Sequence, residues 1–145
     1  AVTAAMTPVL VLAMLGVAAL GAYKVWRGAP FATLFPPLAL SFVLALIVTN
    51  KVGSPQYLSW LVAPVAVALV IRRSRWIGVA LVVLATSVLT NMIYPGTYDA
   101  LLRVELGPVV ILTARNLLLV VLFAWMVTRL ARVRVPTRAR VAVAE

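Results

Sequence analysis

The 145-residue sequence contains no cysteine and no histidine, and it has only three acidic residues. Without thiols or imidazoles, the chain can form no disulfide, no zinc site of the usual kind and no Ser-His-Asp triad. Acid–base catalysis by imidazole is excluded for the same reason. Any chemistry of this chain must therefore depend on hydroxyls, amides, a few carboxylates and positive charge.

Charged residues of both signs are scarce, at 11%, whereas 65% of the residues are hydrophobic and the mean hydropathy is +1.13. A soluble domain has roughly 45–50% apolar and about 25% charged residues. The composition therefore predicts an all-α integral membrane protein, in contact with the lipid bilayer. The net charge of +10 would suggest nucleic acid in a soluble protein. Here the basic residues flank apolar segments, so we expect no nucleic-acid partner.

Five apolar segments come close to the ~20 residues that cross ~30 Å of hydrocarbon. They cover about residues 5–23, 35–49, 57–71, 76–94 and 108–127. Pro36 and Pro37 stand at the predicted start of the second segment, where a missing amide donor costs little. Pro64 predicts a kink or an oblique entry in the third segment. Residues 1–128 are thus predicted to form the transmembrane region and residues 129–145 a basic cytoplasmic tail.

Basic residues are distributed unevenly between the two ends of these segments. Ten lie on one side: Lys24, Arg27, Arg72, Arg73, Arg75, Arg129, Arg132, Arg134, Arg138 and Arg140. The other side has Lys51 and Arg103, and Arg115 lies within the fifth segment. Because cytoplasmic loops carry the Lys/Arg excess, we predict an external N-terminus and a cytoplasmic C-terminus. Arginine outnumbers lysine by 11 to 2, which is typical of a high-GC bacterium, so the expected location is a bacterial plasma membrane.

The run Asn50–Leu61 is a dense polar patch between two apolar segments. Polar groups at a membrane cost free energy unless they face a protein interior or a wet cavity, so they are functional candidates. Asn50, Lys51, Ser54 and Gln56 together are typical of a small anion or sugar pocket. The alternative is an ordinary turn in which Lys51 extends into the head groups and Tyr57 lies in the aromatic belt.

Arg115 lies inside an apolar segment, where a charge costs ~2.5–3.5 kcal/mol on insertion scales. One interpretation is a structural pair with Asp99, Glu105 or a helix carbonyl. The other is a phosphate ligand, because guanidinium matches phosphate oxygens in a bidentate way, with the Asn116 amide as a further donor. On this interpretation, Lys51 and Arg115 hold a lipid phosphate in the outer leaflet.

Three stretches resemble signatures of glycosyltransferase family 87, in order and in spacing. They are Asn50-Lys51-x-x-Ser54-Pro55-Gln56-Tyr57-Leu58-x-Trp60-Leu61, then Thr90-Asn91-Met92-Ile93-Tyr94-Pro95, then Arg115-Asn116-Leu117-Leu118-Leu119. The second is similar to a Thr-Gln-x-x-Tyr-Pro pattern, with Asn91 where glutamine is common. The family comprises polyprenyl-phosphate-mannose-dependent mannosyltransferases and arabinofuranosyltransferase relatives with the GT-C membrane fold. The resemblance covers about the last 100 residues.

The resemblance implies transfer of a sugar, mannose or arabinose, from a polyprenyl-phosphate donor to a glycolipid or cell-wall polysaccharide at the extracytoplasmic face. It implies an inverting reaction in which a carboxylate deprotonates the acceptor hydroxyl and polyprenyl phosphate departs. Lys51 and Arg115 would stabilise that phosphate by their charge. The implied substrate-binding residues around them are Asn50, Ser54, Gln56, Tyr57, Tyr94 and Asn116.

The catalytic aspartate of such enzymes lies in a first extracytoplasmic loop, which has no counterpart among these residues. We therefore expect no catalytic residue here, no certain cofactor, and an inactive C-terminal part that works with the rest of the transferase chain. The divalent-metal requirement is left open. The alternative function is a non-catalytic membrane subunit that binds or transports a phospholipid or polyprenyl phosphate.

Overall fold

The structure is a computed structural model that describes residues 2–49, 55–94 and 97–136. Within these ranges the chain forms α-helices and a 3-10 helix and no strand, which confirms the all-α prediction for the described residues. The α-helices are α1 (Val2–Trp26), α2 (Phe31–Thr49), α3 (Val62–Ile93), α4 (Tyr98–Leu102) and α5 (Leu106–Ala131). The 3-10 helix Pro55–Leu61 leads directly into α3.

Four helical stretches of the described chain are long and apolar enough to cross a membrane. They are Thr7–Trp26, Phe31–Thr49, Gln56–Ile93 and Leu106–Ala131. The third joins two segments that the sequence separates, and its 38 residues would extend about 57 Å if straight. That length is almost twice the hydrocarbon thickness. The predicted number of five crossings and their orientation stay predictions.

The backbone of this long stretch leaves the helical region at Arg72, where φ is −155° and ψ is 82°. The resulting kink separates residues 56–71 from residues 73–93, which agrees with the division read from the sequence. Arg72 begins an Arg-Arg-Ser-Arg run, in which like charges three residues apart repel each other in a continuous helix. Pro64, where the sequence predicts a kink, is the third residue of α3. An amide in the first turn has no partner within the helix, so a proline there is tolerated.

Helix α2 begins four residues earlier than the sequence predicts. The Pro30 carbonyl accepts hydrogen bonds from the backbone N–H groups of Thr33 and Leu34, both at 3.1 Å, and from the Thr33 hydroxyl at 2.9 Å. Pro36 and Pro37 therefore lie within the helix rather than at its start, and both are fully buried. Each removes a backbone hydrogen bond, which membrane helices tolerate where neighbouring helices pack against them.

The hydrophobic core lies between α2, α3 and α5. Leu40 and Leu44 of α2 pack there with Val79 of α3 and with Leu122 and Met126 of α5, all almost completely buried. Burial of such side chains contributes about 1.5–3 kcal/mol each relative to water, although lipid offers them a comparable environment. Close packing between the helices is therefore what holds this core together.

Helix α1 packs against α2 and leaves most of its surface exposed. A Cβ at Gly21 would lie 2.6 Å from Cδ1 of Leu38, so the absence of a side chain lets the two helices approach closely. Leu12, Leu15 and Trp26 on the rest of α1 are 60–78% exposed. An apolar helix that exposes large side chains suits a lipid environment.

Helix α1 is fixed to the end of α5 by Lys24, whose side chain is only 9% exposed. Its ammonium donates to the carbonyl oxygens of Ala131 at 2.7 Å and Val133 at 2.9 Å. The last carbonyls of a helix have no partner within it and carry the negative end of the helix dipole. The C-terminal end of α5 therefore favours the positive charge of the buried Lys24 ammonium.

Arg129 joins α5 to the start of the second part of α3. Its guanidinium lies 4.7 Å from the centre of the Trp76 ring and 4.9 Å from that of Trp125. Both terminal nitrogens donate to the Arg75 carbonyl at 3.1 Å. Helix α5 continues to Ala131, beyond the predicted apolar segment 108–127, and these contacts stabilise its last turn. The predicted boundary of the tail at residue 129 stays a prediction.

These contacts bring three basic segments to one end of the bundle, which we call the basic end. It comprises the described basic residues Lys24, Arg27, Arg72, Arg73, Arg75, Arg129, Arg132 and Arg134. Arg138 and Arg140, which the sequence places on the same side, lie outside the described residues. The second part of α3 runs antiparallel to α5, because Arg129 bonds residue 75 while Arg115 bonds residue 90. Arg115 is therefore displaced from the basic end along α5.

Candidate anion-binding site

Arg115 lies on the buried face of α5, with a side chain that is 2% exposed. It follows Leu106 by nine residues, which places it about 14 Å along the helix. Leu119, Leu122 and Met126 are buried on the same face, at spacings of four, three and four residues that define one helical stripe. The apolar periodicity of α5 thus directs a positive charge into the contact with α3.

The Arg115 guanidinium has five N–H donors, and the described residues engage only part of them. Nε donates to the Thr90 hydroxyl at 3.0 Å, and Nη1 donates to Oδ1 of Asn116 at 3.2 Å. Nη2 is buried and has no hydrogen-bond partner among the described residues. A buried donor without a partner costs about 1–3 kcal/mol, and more on a charged group. Among the described residues, the guanidinium therefore keeps an unused donor nitrogen.

Thr90 orients the guanidinium from α3. Its hydroxyl donates to the Thr86 carbonyl at 2.8 Å while it accepts from Arg115. The Thr86 hydroxyl in turn donates to the Val82 carbonyl at 2.8 Å. Because the Thr90 proton is committed to its own helix, the oxygen lone pairs are directed toward Arg115. Thr90 and Thr86 are both buried.

Thr90 was not among the predicted site residues, although it begins one of the motif stretches. The signal that could have found it is a pair of threonines four residues apart in an apolar helix. Such residues share one helical face, and their hydroxyls bond within the helix and remain acceptors. The partner on another helix could not be identified from this pattern.

Tyr94 and Asn116, both predicted as site residues, lie near Arg115. Tyr94 is one turn beyond Thr90 and half-buried, and its phenol lies near the Arg115 guanidinium. Its backbone N–H donates to the Thr90 carbonyl at 2.9 Å and ends α3. Asn116 is exposed but turns its amide oxygen to Arg115. The structure thus brings Tyr94, Arg115 and Asn116 together around Thr90.

The polar patch is described only from Pro55 onward. Asn50, Lys51 and Ser54 lie outside the described residues, so the predicted pairing of Lys51 with Arg115 stays a prediction. Gln56 is exposed, and its backbone carbonyl accepts a hydrogen bond from the Ser59 hydroxyl at 2.6 Å.

Tyr57 is half-buried and packs against the core cluster that includes Leu119, one turn beyond Arg115. Its ring lies 4.9 Å from that of Trp60, at an interplanar angle of 49°. No hydrogen bond among the described residues joins Gln56 or Tyr57 to Arg115. Tyr57 is therefore connected to the Arg115 region by apolar packing.

The two acidic residues weighed as partners of Arg115 do not bond it. Asp99 in α4 and Glu105 before α5 are both exposed, and the guanidinium bonds a hydroxyl and an amide oxygen instead. Within the described residues, no group of three or more acidic, histidine or cysteine side chains could hold a metal ion. The charge of Arg115 is therefore not compensated by a described carboxylate.

A buried guanidinium with an unused nitrogen is chemically suited to an oxyanion, because its N–H groups match two oxygens of a phosphate or carboxylate. No protein-family model, no curated protein and no solved structure matches this chain. The resemblance to glycosyltransferase family 87 therefore stays a prediction from three motifs. What Arg115 binds must be inferred from its surroundings.

Proposed function

We propose that this chain holds the phosphate of a polyprenyl-phosphate sugar donor within a membrane glycosyltransferase, and that Arg115 is the principal phosphate ligand. The observation that carries the proposal is the buried guanidinium whose Nη2 has no partner among the described residues. A cation in a membrane helix usually has a partner or marks a substrate site. The phosphate of a membrane lipid can reach a guanidinium in such a helix while the lipid chain stays in the bilayer.

The meeting of two motif stretches supports this proposal. Thr90 and Arg115 each begin a stretch that resembles the family, they are 25 residues apart, and the Arg115 Nε–H donates to the Thr90 hydroxyl. If the two resemblances had arisen by chance, a contact between their residues would not be expected. Tyr94, from the same stretch as Thr90, adds a phenol near the guanidinium.

The expected orientation places this site in the outer half of the membrane. Arg115 precedes Arg129 by fourteen residues, or about 21 Å along α5, and Arg129 belongs to the basic end. If the basic end faces the cytoplasm, as charge distribution favours, Arg115 approaches the outer leaflet. Lys51, in the polar patch, would then add a second positive charge to the same phosphate.

In the proposed reaction the acceptor hydroxyl oxygen bonds the anomeric carbon, and the bond from that carbon to the phosphate oxygen breaks. The hydroxyl proton passes to a carboxylate supplied by the rest of the enzyme. Polyprenyl phosphate leaves with an additional negative charge, which Arg115 stabilises through preorganised N–H donors. Thr90 holds the guanidinium and does not touch the substrate.

A second candidate function is a non-catalytic subunit that binds or transports a lipid phosphate. The observation that favours it is the absence of a carboxylate near Arg115 among the described residues. The two functions share the phosphate ligand and differ in whether a sugar is transferred.

The test is a transfer assay with the full-length protein and a radiolabelled polyprenyl-phosphate sugar. We expect Arg115→Ala to lower transfer about 10²–10³-fold, the usual effect of removing one preorganised donor to a developing charge. Lys51→Ala should lower transfer in the same direction. Arg103→Ala is the matched control, because Arg103 is exposed and predicted on the same side.

Normal transfer by both the Arg115 and Lys51 variants would refute the phosphate-ligand assignment. Donor binding that depends on Arg115, without transfer to any acceptor glycan, would instead support the subunit function. Equal loss in the Arg103 variant would show that the effect is not specific to the site.

A further inference from the structure

The basic end carries arginines whose side chains the described packing leaves exposed. They are Arg27, Arg72, Arg73, Arg75, Arg132 and Arg134. Arg27 lies 5.8 Å from the centre of the Tyr23 ring. The other five side chains make no hydrogen bond, ion pair or ring contact with a described residue. The described acidic residues are Asp99, within α4, and Glu105, which precedes α5 at the end of that helix opposite to the basic end.

Two other basic residues hold the arginine-bearing segments in fixed relative positions. Lys24 bonds the carbonyls of Ala131 and Val133 and so fixes the end of α1 to the end of α5. Arg129 bonds the Arg75 carbonyl and lies against two tryptophan rings. The three segments that carry the exposed arginines are therefore held next to one another at one end of the bundle.

The turn between α1 and α2 also contacts the segment that follows α5. Gly28 has φ +77°, and a Cβ there would lie 3.7 Å from Cγ of Pro136. This approach brings the turn that carries Arg27 beside the segment that carries Arg134. Trp26 and Phe31 flank the same turn and are 78% and 72% exposed, as expected of aromatic residues at the level of lipid head groups.

We propose that the basic end binds the head-group phosphates of anionic phospholipids, with arginines from all three segments contributing to one surface. The apolar exposed faces of the helices bring this end to the boundary between hydrocarbon and water. Positive charge without described acidic neighbours attracts an anionic leaflet, by about fivefold in affinity for each arginine near the surface. The phosphate-binding role of Arg115 is not needed for this inference, because the two sites lie at different levels of α5.

The test uses the protein purified in a neutral detergent and titrated with phosphatidylglycerol or phosphatidylcholine, with bound lipid counted by native mass spectrometry. We expect the wild type to prefer phosphatidylglycerol. The triple variant Arg27→Gln, Arg73→Gln, Arg132→Gln should weaken phosphatidylglycerol binding about a hundredfold, at about fivefold for each arginine. Raising the salt concentration should reduce the wild-type preference, because exposed charges are screened.

The matched single variants are Arg73→Gln at the basic end and Arg103→Gln at the other end. Arg73→Gln should weaken phosphatidylglycerol binding about fivefold and Arg103→Gln should leave it unchanged. Helix content measured by circular dichroism verifies that each variant is folded. Equal binding of the two lipids by the wild type, or an undiminished preference in a folded triple variant, would overturn the proposal.

Discussion

Lys24 and Arg115 are both buried cations at contacts between helices, yet their environments differ. The Lys24 ammonium meets two carbonyl oxygens at the C-terminal end of α5, where the helix dipole favours positive charge. Arg115 meets a hydroxyl and an amide oxygen in the middle of the bundle, and its Nη2 meets no described acceptor. The fold thus supplies acceptors to the Lys24 nitrogen, whereas the described residues supply none to Nη2 of Arg115.

The difference concerns whether the fold itself supplies acceptors for a buried cation. Burial alone does not separate the two residues, since both are at most 9% exposed. The discriminating property is that the Lys24 nitrogen bonds two backbone carbonyls, whereas Nη2 of Arg115 bonds no acceptor among the described residues. An unmatched buried donor persists where a ligand or another element supplies the acceptor.

The largest expected effect follows from replacing Arg115 by a residue of similar size without charge. Arg115→Met should lower sugar transfer about 10²–10³-fold while leaving stability unchanged or increasing it, because a buried charge with poor compensation is often replaced by an apolar side chain without loss. Unfolding in mixed micelles measures the stability. A variant that loses stability and transfer together would indicate that Arg115 is structural, like Lys24.

Replacing Lys24 should lower the stability of the protein and leave phosphate binding unchanged, the opposite of the result expected for Arg115. Lys24→Met should destabilise the protein by about 2 kcal/mol, because the carbonyls of Ala131 and Val133 lose charge-assisted hydrogen bonds. Binding of polyprenyl phosphate, measured on the folded fraction, should be unchanged. Lys24→Arg is the control, since it keeps the charge and should recover part of the stability.

Thr90 offers a smaller change that tests positioning. Thr90→Val keeps the shape and removes the acceptor for Arg115 Nε, so transfer should fall about tenfold, equivalent to about 1.4 kcal/mol of hydrogen bonding. Thr90→Ser keeps the hydroxyl and should restore most of the rate. Equal rates in the valine and serine variants would show that the hydroxyl does not position the guanidinium.

The smallest expected effect concerns Arg129 at the basic end. Arg129→Lys retains the charge but loses the planar stacking on Trp76 and Trp125, so stability should fall by about 1 kcal/mol. Thermal unfolding followed by tryptophan fluorescence reports the change directly. Trp125→Leu, which removes one of the two rings, should lower stability by a similar amount. An unchanged unfolding midpoint in both variants would show that the contact of Arg129 with the two rings does not stabilise the protein.

Much of the fold could be predicted from composition and periodicity. Hydropathy identified the apolar helices, and the division near Arg72 followed from a charged run that a membrane helix does not favour. The start of α2 was wrong by four residues, because the Pro30 carbonyl begins the helix earlier than the apolar pattern indicates. Hydropathy shows which segments are apolar, but it does not show which backbone carbonyl accepts the first hydrogen bond of a helix.

The sequence predicted the central residue of the candidate site and its neighbours Tyr94 and Asn116, but not the bond to Thr90. A lone arginine in an apolar segment can be recognised as a functional candidate from the sequence, because inserting its charge into a membrane is unfavourable. Its bond to Thr90 and the capping role of Lys24 depend on the axial register between helices, which is set by side-chain packing rather than by local sequence. The predicted partner Lys51 lies outside the described residues and stays a prediction.

The most direct measurement of the central claim compares two lipids that differ only in the phosphate. Polyprenyl phosphate and the uncharged polyprenol are titrated into the wild-type protein and into the Arg115→Met variant, with the dissociation constants measured in the same detergent. The wild type should favour the phosphate by about 10–100-fold, the range for hydrogen bonds to a charged group, and the variant should lose that preference. An equal preference for the phosphate in both proteins would contradict Arg115 as its ligand.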